Sequence, residues 1–154
     1  MILSADENRE ITIAGYWTLN HELSDHALSF SQTAETETVQ ALLRELLAPH
    51  EHLTVAPTER GMITIVDGHG VSRVYDTSGL PELQEFQAGR AATKTVWDGR
   101  CLRQEIHLNS VLRIVRTYQP VPERDRLIET IAIENYPSRP GRPLIRVYES
   151  DRVR

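Results

Sequence analysis

The chain has a single cysteine, Cys101, and a single lysine, Lys94, among 154 residues. A lone thiol makes no internal disulfide and cannot supply a cysteine-rich zinc site. No apolar run approaches the length of a membrane span. Positive charge is not in excess either. The net charge of −5 gives no blanket attraction to nucleic acid or to acidic membranes. The first residues lack an export core, because Met1-Ile2-Leu3 is followed by Ser4, Asp6, Glu7 and Arg9. His-Glu-x-x-His, phosphate-loop and Gly-x-Ser-x-Gly patterns are all missing. The expectation is therefore no cofactor.

What is present suits one ordinary domain, 1–154, with residues 1–10 a loosely ordered lead. A 40% hydrophobic and 25% charged composition is too balanced for a disordered chain. Val39, Leu42, Leu43, Leu46 and Leu47 recur at i, i+3, i+4, i+7 and i+8, which predicts a helix over 34–48. Thr33 is the expected cap, Glu35 and Glu37 suit the N-terminal dipole, and Pro49 ends the run. Elsewhere the β-branched runs predict short strands at Ile11–Leu19, Leu53–Val55, Met62–Val66, Val71–Tyr75, Ala92–Trp97, Cys101–Leu108, Val111–Tyr118, Leu127–Glu134 and Leu144–Glu149. Asp67-Gly68 and Asp98-Gly99 mark hairpin turns. The segment from Pro81 to Gly89 shows no clear pattern. Closely spaced strands without alternating helices point to a sandwich or an up-and-down barrel, and barrel closure removes exposed edges. The fold expected is an antiparallel barrel of about eight to ten strands with one helix.

Gly15-Tyr16-Trp17 on the first strand and Arg146-Val147-Tyr148 on the last resemble the lipocalin and fatty-acid-binding (calycin) superfamily. There a Gly-x-Trp opens the barrel and a late arginine covers the indole. The frame Gly15–Asn20, Leu23-Ser24, Leu53–Val55, Ile63–Ile65, Tyr75–Gly79 and Lys94–Gly99 is similar to uncharacterised bacterial lipocalin-like proteins. Many of those look exported, which implies a periplasmic or secreted mature form. The helix falls between the first and second strands, where fatty-acid-binding proteins carry a helical lid. Classical lipocalins place theirs after the barrel. The resemblance implies a barrel in which Gly15, Trp17 and Arg146 are structural. Arg146, or Arg142 on the same strand face, is expected within about 6 Å of the Trp17 ring.

Arg-x-Tyr occurs as Arg73/Tyr75, Arg116/Tyr118 and Arg146/Tyr148, each pair sharing one face of its strand. A guanidinium fork plus a phenol can hold a carboxylate. In fatty-acid-binding proteins such a pair on the last strand does so. All six residues are candidates for a small hydrophobic or amphipathic ligand, a fatty-acid-like or other lipid-like carboxylate. The alternative is that these pairs lie outside, with the arginines snorkelling. Parity leaves that choice open, because both faces of Val111–Tyr118 and Leu144–Glu149 carry apolar residues.

Other constellations are weaker. Glu105, His107 and Tyr118 are candidate acid/base groups for a cavity enzyme, an isomerase or a hydrolase, with Glu129 on an adjacent strand. Cys101 stands beside Arg100, which could lower its pKa, although a packed inert thiol is the simpler role. His50 and His52 would share a strand face and could bind a metal, and His21, Asp25 and His26 form a second cluster. No third ligand stands at a fixed spacing. Solvated loop histidines are the competing reading, and a barrel with a packed interior and a purely structural role is the last.

Overall fold

The computed structural model describes residues 9–10, 12–25, 36–58, 61–134 and 142–150. Ten antiparallel strands form one sheet. They are β1 (Gly15–Leu19), β2 (His52–Pro57), β3 (Met62–Val66), β4 (Ser72–Asp76), β5 (Glu82–Phe86), β6 (Gly89–Asp98), β7 (Cys101–His107), β8 (Arg113–Val121), β9 (Arg126–Glu134) and β10 (Leu144–Ser150). Their order is β4-β3-β2-β1-β10-β9-β8-β7-β6-β5. This is a hairpin meander in which the first strand also pairs with the last, Trp17 standing opposite both Leu53 and Ser150. The sheet curls into a nearly closed barrel, and among the described residues one helix lies between β1 and β2.

The open seam lies between the edge strands β4 and β5. Side chains bridge it where a ladder would run. Gln84 Nε2 donates to the Val74 carbonyl at 2.7 Å, Arg73 Nε to the Glu85 carbonyl at 3.0 Å, and the Glu82 carboxylate accepts from the Asp76 amide at 2.9 Å. That role explains why β5 is illegible from its pattern. Its inward residues are Glu82, Gln84 and Phe86, while Leu83 points outward and is exposed. The usual apolar-in alternation is reversed at two of those three inward positions.

The helix α1 spans Glu37–Leu47, shorter than the predicted 34–48. Its N-cap is Thr36, whose hydroxyl accepts from the Val39 amide at 3.3 Å; Thr33 and Glu35 lie outside the described residues. All five stripe residues are buried. They pack on Phe86, Ala91, Ile106, Leu108, Leu112, Ile114, Ile131 and Leu144. Each such burial contributes about 1.5–3 kcal/mol, so α1 is held by its leucines rather than by intrinsic helicity. A second apolar cluster gathers Ile13, Trp17, Leu19, Leu53, Val55, Ile63 and Ile65 with Tyr75, Leu102, Tyr118, Leu127 and Tyr148.

The first strand begins at Gly15, not at Ile11. Residues 12–13 are helical and Ala14 N–H donates to the Glu10 carbonyl. Gly15, at φ +149°, turns the chain from helix to strand in a region that disfavours a side chain. Trp17 is buried, and its indole N–H donates to the Ile13 carbonyl at 3.1 Å. The expected arginine cover is absent. Cation–π contacts among the described residues are Arg9 over Trp97 (4.7 Å), Arg73 over Phe86 (4.5 Å) and Arg116 over Tyr118 (5.6 Å). Arg146 instead donates Nε to the Asp25 carbonyl at 3.0 Å and Nη2 to the Leu47 carbonyl at 2.6 Å. Carbonyls at the C-terminal end of α1 are stronger acceptors for a guanidinium than an indole face. Arg142, the alternative cover, is paired with Asp25 at 3.5 Å.

Candidate functional site

Parity settles once the register is known: Arg73/Tyr75, Arg116/Tyr118 and Arg146/Tyr148 all sit on the inward face. Tyr75, Tyr118 and Tyr148 are buried, as are Arg116 and Arg146. A cavity of about 290 Å³ opens beneath α1, between the two apolar clusters. Arg116, Tyr118 and Tyr75 form part of its wall with Leu46, Leu53, Ile65 and Phe86. Its polar rim is His50, Asp67, His69, Arg73, Arg44, Glu45 and Gln87.

The deep end is a connected network. Arg116 Nε and Nη2 both donate to Gln104 Oε1, at 3.1 and 2.9 Å, and Gln104 Nε2 donates to the Thr95 hydroxyl at 3.2 Å. Glu129 Oε2 lies 3.9 Å from Arg116 Nε, and Tyr148 O–H donates to Glu129 Oε1 at 3.4 Å. Burial works against the Arg116 charge, but the nearby Glu129 carboxylate favours it and the guanidinium stays protonated. Burial also pushes both the Tyr118 and Tyr148 hydroxyls well above the usual phenol range. These phenols are donors, not bases. Gln104 lies between Leu102 and Ile106 on the inward face of β7. That alternation is the sequence signal that could have singled it out.

Arg73 differs from the other two arginines. It reaches the cavity mouth, where Nη1 pairs with Asp67 at 3.2 Å and Nη2 with Glu45 at 3.5 Å. Glu45 in turn accepts from the Gln87 and Ala88 amides at 3.0 and 2.8 Å. The mouth is thus clasped by ion pairs joining α1, β4 and the β3–β4 turn and by carboxylate–amide hydrogen bonds to the β5–β6 turn. Burial opposes the Asp67 charge, but the Val71 and His69 amides, His50 and Arg73 hold its pKa below the usual carboxylate range. Arg146 is buried off the cavity wall, on the carbonyls already named, and its Nη1 has no hydrogen-bond partner among the described residues.

The acid/base candidates separate. Glu105 and His107 lie on the outer face of β7, opposite in parity to Gln104. Glu105 pairs there with Arg103 at 3.1 Å and Arg113 at 2.7 Å; its partial burial is outweighed by these arginines, which lower its pKa. Only Tyr118 of that trio faces the cavity, so the three form no catalytic group. Glu129, by contrast, is inside. Cys101 is half-buried, and burial with the nearby Asp98 raises its pKa, the reverse of an activated thiol. His50 and His52 also part. His50 lines the cavity, its Nδ1 accepting from the Gly68 amide at 3.3 Å and its ring edge-on to His69 at 5.9 Å. His52 is exposed and bonds the Thr18 hydroxyl at 3.3 Å. Among the described residues no group of three metal-type ligands converges. His21 pairs with Glu51 on the surface and Asp25 straps onto β10, while His26 lies outside the described residues.

This geometry has clear structural counterparts. Fatty-acid-binding protein 1 of Echinococcus granulosus aligns over 92% of this chain and 99% of its own, with TM-score 0.60 and 10% identity. The fold is that of the fatty-acid-binding proteins. The Schistosoma mansoni fatty acid binding protein solved with arachidonic acid covers 92% and 98%, at TM-score 0.58 and 13% identity. Secretory abundant heat soluble protein 4 of Ramazzottius varieornatus covers 92% and 96%, at 0.59 and 14%. No protein-family model matches the sequence, and a search of curated proteins gives no significant match. Among the described residues no helix is long and apolar enough to cross a membrane.

Proposed function

We propose that this protein binds a small amphipathic, lipid-like molecule inside the barrel, its apolar part against Leu46, Leu53, Ile65 and Phe86 and its head group at Arg116, Tyr118 and Tyr75. The observation that carries this reading is a cavity of about 290 Å³ that joins an apolar wall to a buried guanidinium and phenols. Sites for small ligands are mostly apolar with a few convergent polar groups, and this size suits a short or medium chain. The likeness to fatty-acid-binding proteins supports the same use of the fold, at identities that speak for architecture alone. An enzymatic reading draws no support from Glu105 and His107, which are outside.

The test is native mass spectrometry of the purified chain together with displacement of a neutral fluorescent dye, Nile red, by added lipids. Retained lipid, or dye bound with unit stoichiometry and released by lipid, is the expected result. A protein that carries nothing and binds no dye refutes the proposal.

A further inference from the structure

We infer that the cavity selects an uncharged head group, a hydroxyl or an ester rather than an ionised carboxylate. This rests on the lipid-binding reading above and narrows its ligand class. The spacing Arg-x-Tyr suggests a carboxylate, but the pair on β8 does not stand alone. Glu129, 3% exposed, lies 3.9 Å from Arg116 and is the one carboxylate paired with it among the described residues. Gln104 Oε1 takes two of the guanidinium N–H groups. The head-group end therefore offers hydrogen-bond donors whose charge is already neutralised.

The rim obeys the same balance. Arg73 is matched by Asp67 and Glu45. The cavity wall carries Arg44, Arg73 and Arg116 with Glu45 and Asp67, and Glu129, behind the wall, faces Arg116 at 3.9 Å. An ionised head group seated on Arg116 would lie close to the buried Glu129 charge in a poorly screened interior, where like charges repel strongly. A hydroxyl or an ester carbonyl accepts from Arg116 or a phenol at no such cost. Arg146, the remaining buried guanidinium, is not on the cavity wall and donates to main-chain carbonyls.

The experiment measures Nile red displacement from the full chain by dodecanol and by laurate, at neutral pH and equal chain length. Dodecanol is expected to bind about tenfold or more tightly than laurate. In Glu129→Gln, which keeps the shape and removes the charge, the laurate affinity should rise about tenfold while that of dodecanol changes little. Laurate binding as well as dodecanol in the unmodified chain overturns the inference while leaving lipid binding intact. So does a Glu129→Gln variant with an unchanged ratio. If neither compound displaces dye, and no lipid is retained, the lipid-binding reading itself falls and takes this one with it. Should Glu129→Gln fail to fold, the ratio in the unmodified chain decides alone.

Discussion

Truncation of Arg116 tests the interior network quantitatively. In Arg116→Met the Glu129 carboxylate, 3% exposed, keeps among the described residues only the Tyr148 hydroxyl at 3.4 Å, and Gln104 Oε1 loses both its guanidinium bonds. Removing one partner of a buried pair costs about 3–5 kcal/mol, chiefly because a charge is left uncompensated. Glu129→Leu strands the Arg116 charge instead and should cost a similar amount. The double variant Arg116→Met/Glu129→Leu buries neither charge. Its loss should be smaller than the two single losses added together by about 1–3 kcal/mol. For a domain of this size each kcal/mol moves the melting temperature by about 2–4 °C, so Arg116→Met should melt roughly 6–20 °C lower. Urea unfolding followed by the fluorescence of Trp17 and Trp97 gives all the free energies needed for the cycle. Strict additivity, or a loss under about 1 kcal/mol for Arg116→Met, would refute the coupling of these two side chains.

Three further outcomes follow from local geometry. Trp17→Ala should lose about 3–5 kcal/mol by urea unfolding through lost burial and an unfilled void, with no cation–π contribution to Arg146; Arg146→Met should therefore leave the Trp17 emission maximum in place. Gly79→Ala should destabilise by about 1–3 kcal/mol in the same assay, because φ is +89° and a new Cβ would stand 2.8 Å from Val96 Cγ1. Burial lowers the His50 pKa below 6.5, opposed by Glu129 and Asp67, so the unfolded chain takes up this proton first. The stability it contributes is complete above pH 6.5 and is lost as pH falls through the lower folded value. His50→Gln should flatten that part of the stability–pH curve; an unchanged curve would contradict the assignment.

How much of this was legible in the sequence depended on how locally each feature is determined. The α1 leucines have no competing pattern, so their helix and its buried face could be read directly. The Arg-x-Tyr spacing gave three pairs with the right internal geometry, but not their direction. Val115 and Val147 make the alternate faces of β8 and β10 nearly as apolar as the inward ones. Only the register with β7 and β9 resolves that. Glu105 and His107 misled for the related reason that the polar face of β7 is its outer one, while the polar residue that bonds Arg116, Gln104, sits among apolar neighbours. β5 was hidden because its inward Glu82 and Gln84 serve the seam. The Arg146–Trp17 contact failed on chain geometry distant in sequence, since the Leu47 and Asp25 carbonyls reach the guanidinium first. The salt-bridge partners of Arg73, on α1 and the β3–β4 turn, have no signature in their spacing.

Ligand placement is tested most directly by nuclear magnetic resonance of the arginine Nε–Hε groups and tyrosine rings during titration with dodecanol. Saturable shifts at unit stoichiometry are expected for Arg116, Tyr118 and Tyr75, with Arg103 and Arg113 on the outer face of the barrel unmoved. Shifts scattered over those outer arginines, or an Arg116 signal that does not respond, would contradict a ligand bound inside the barrel.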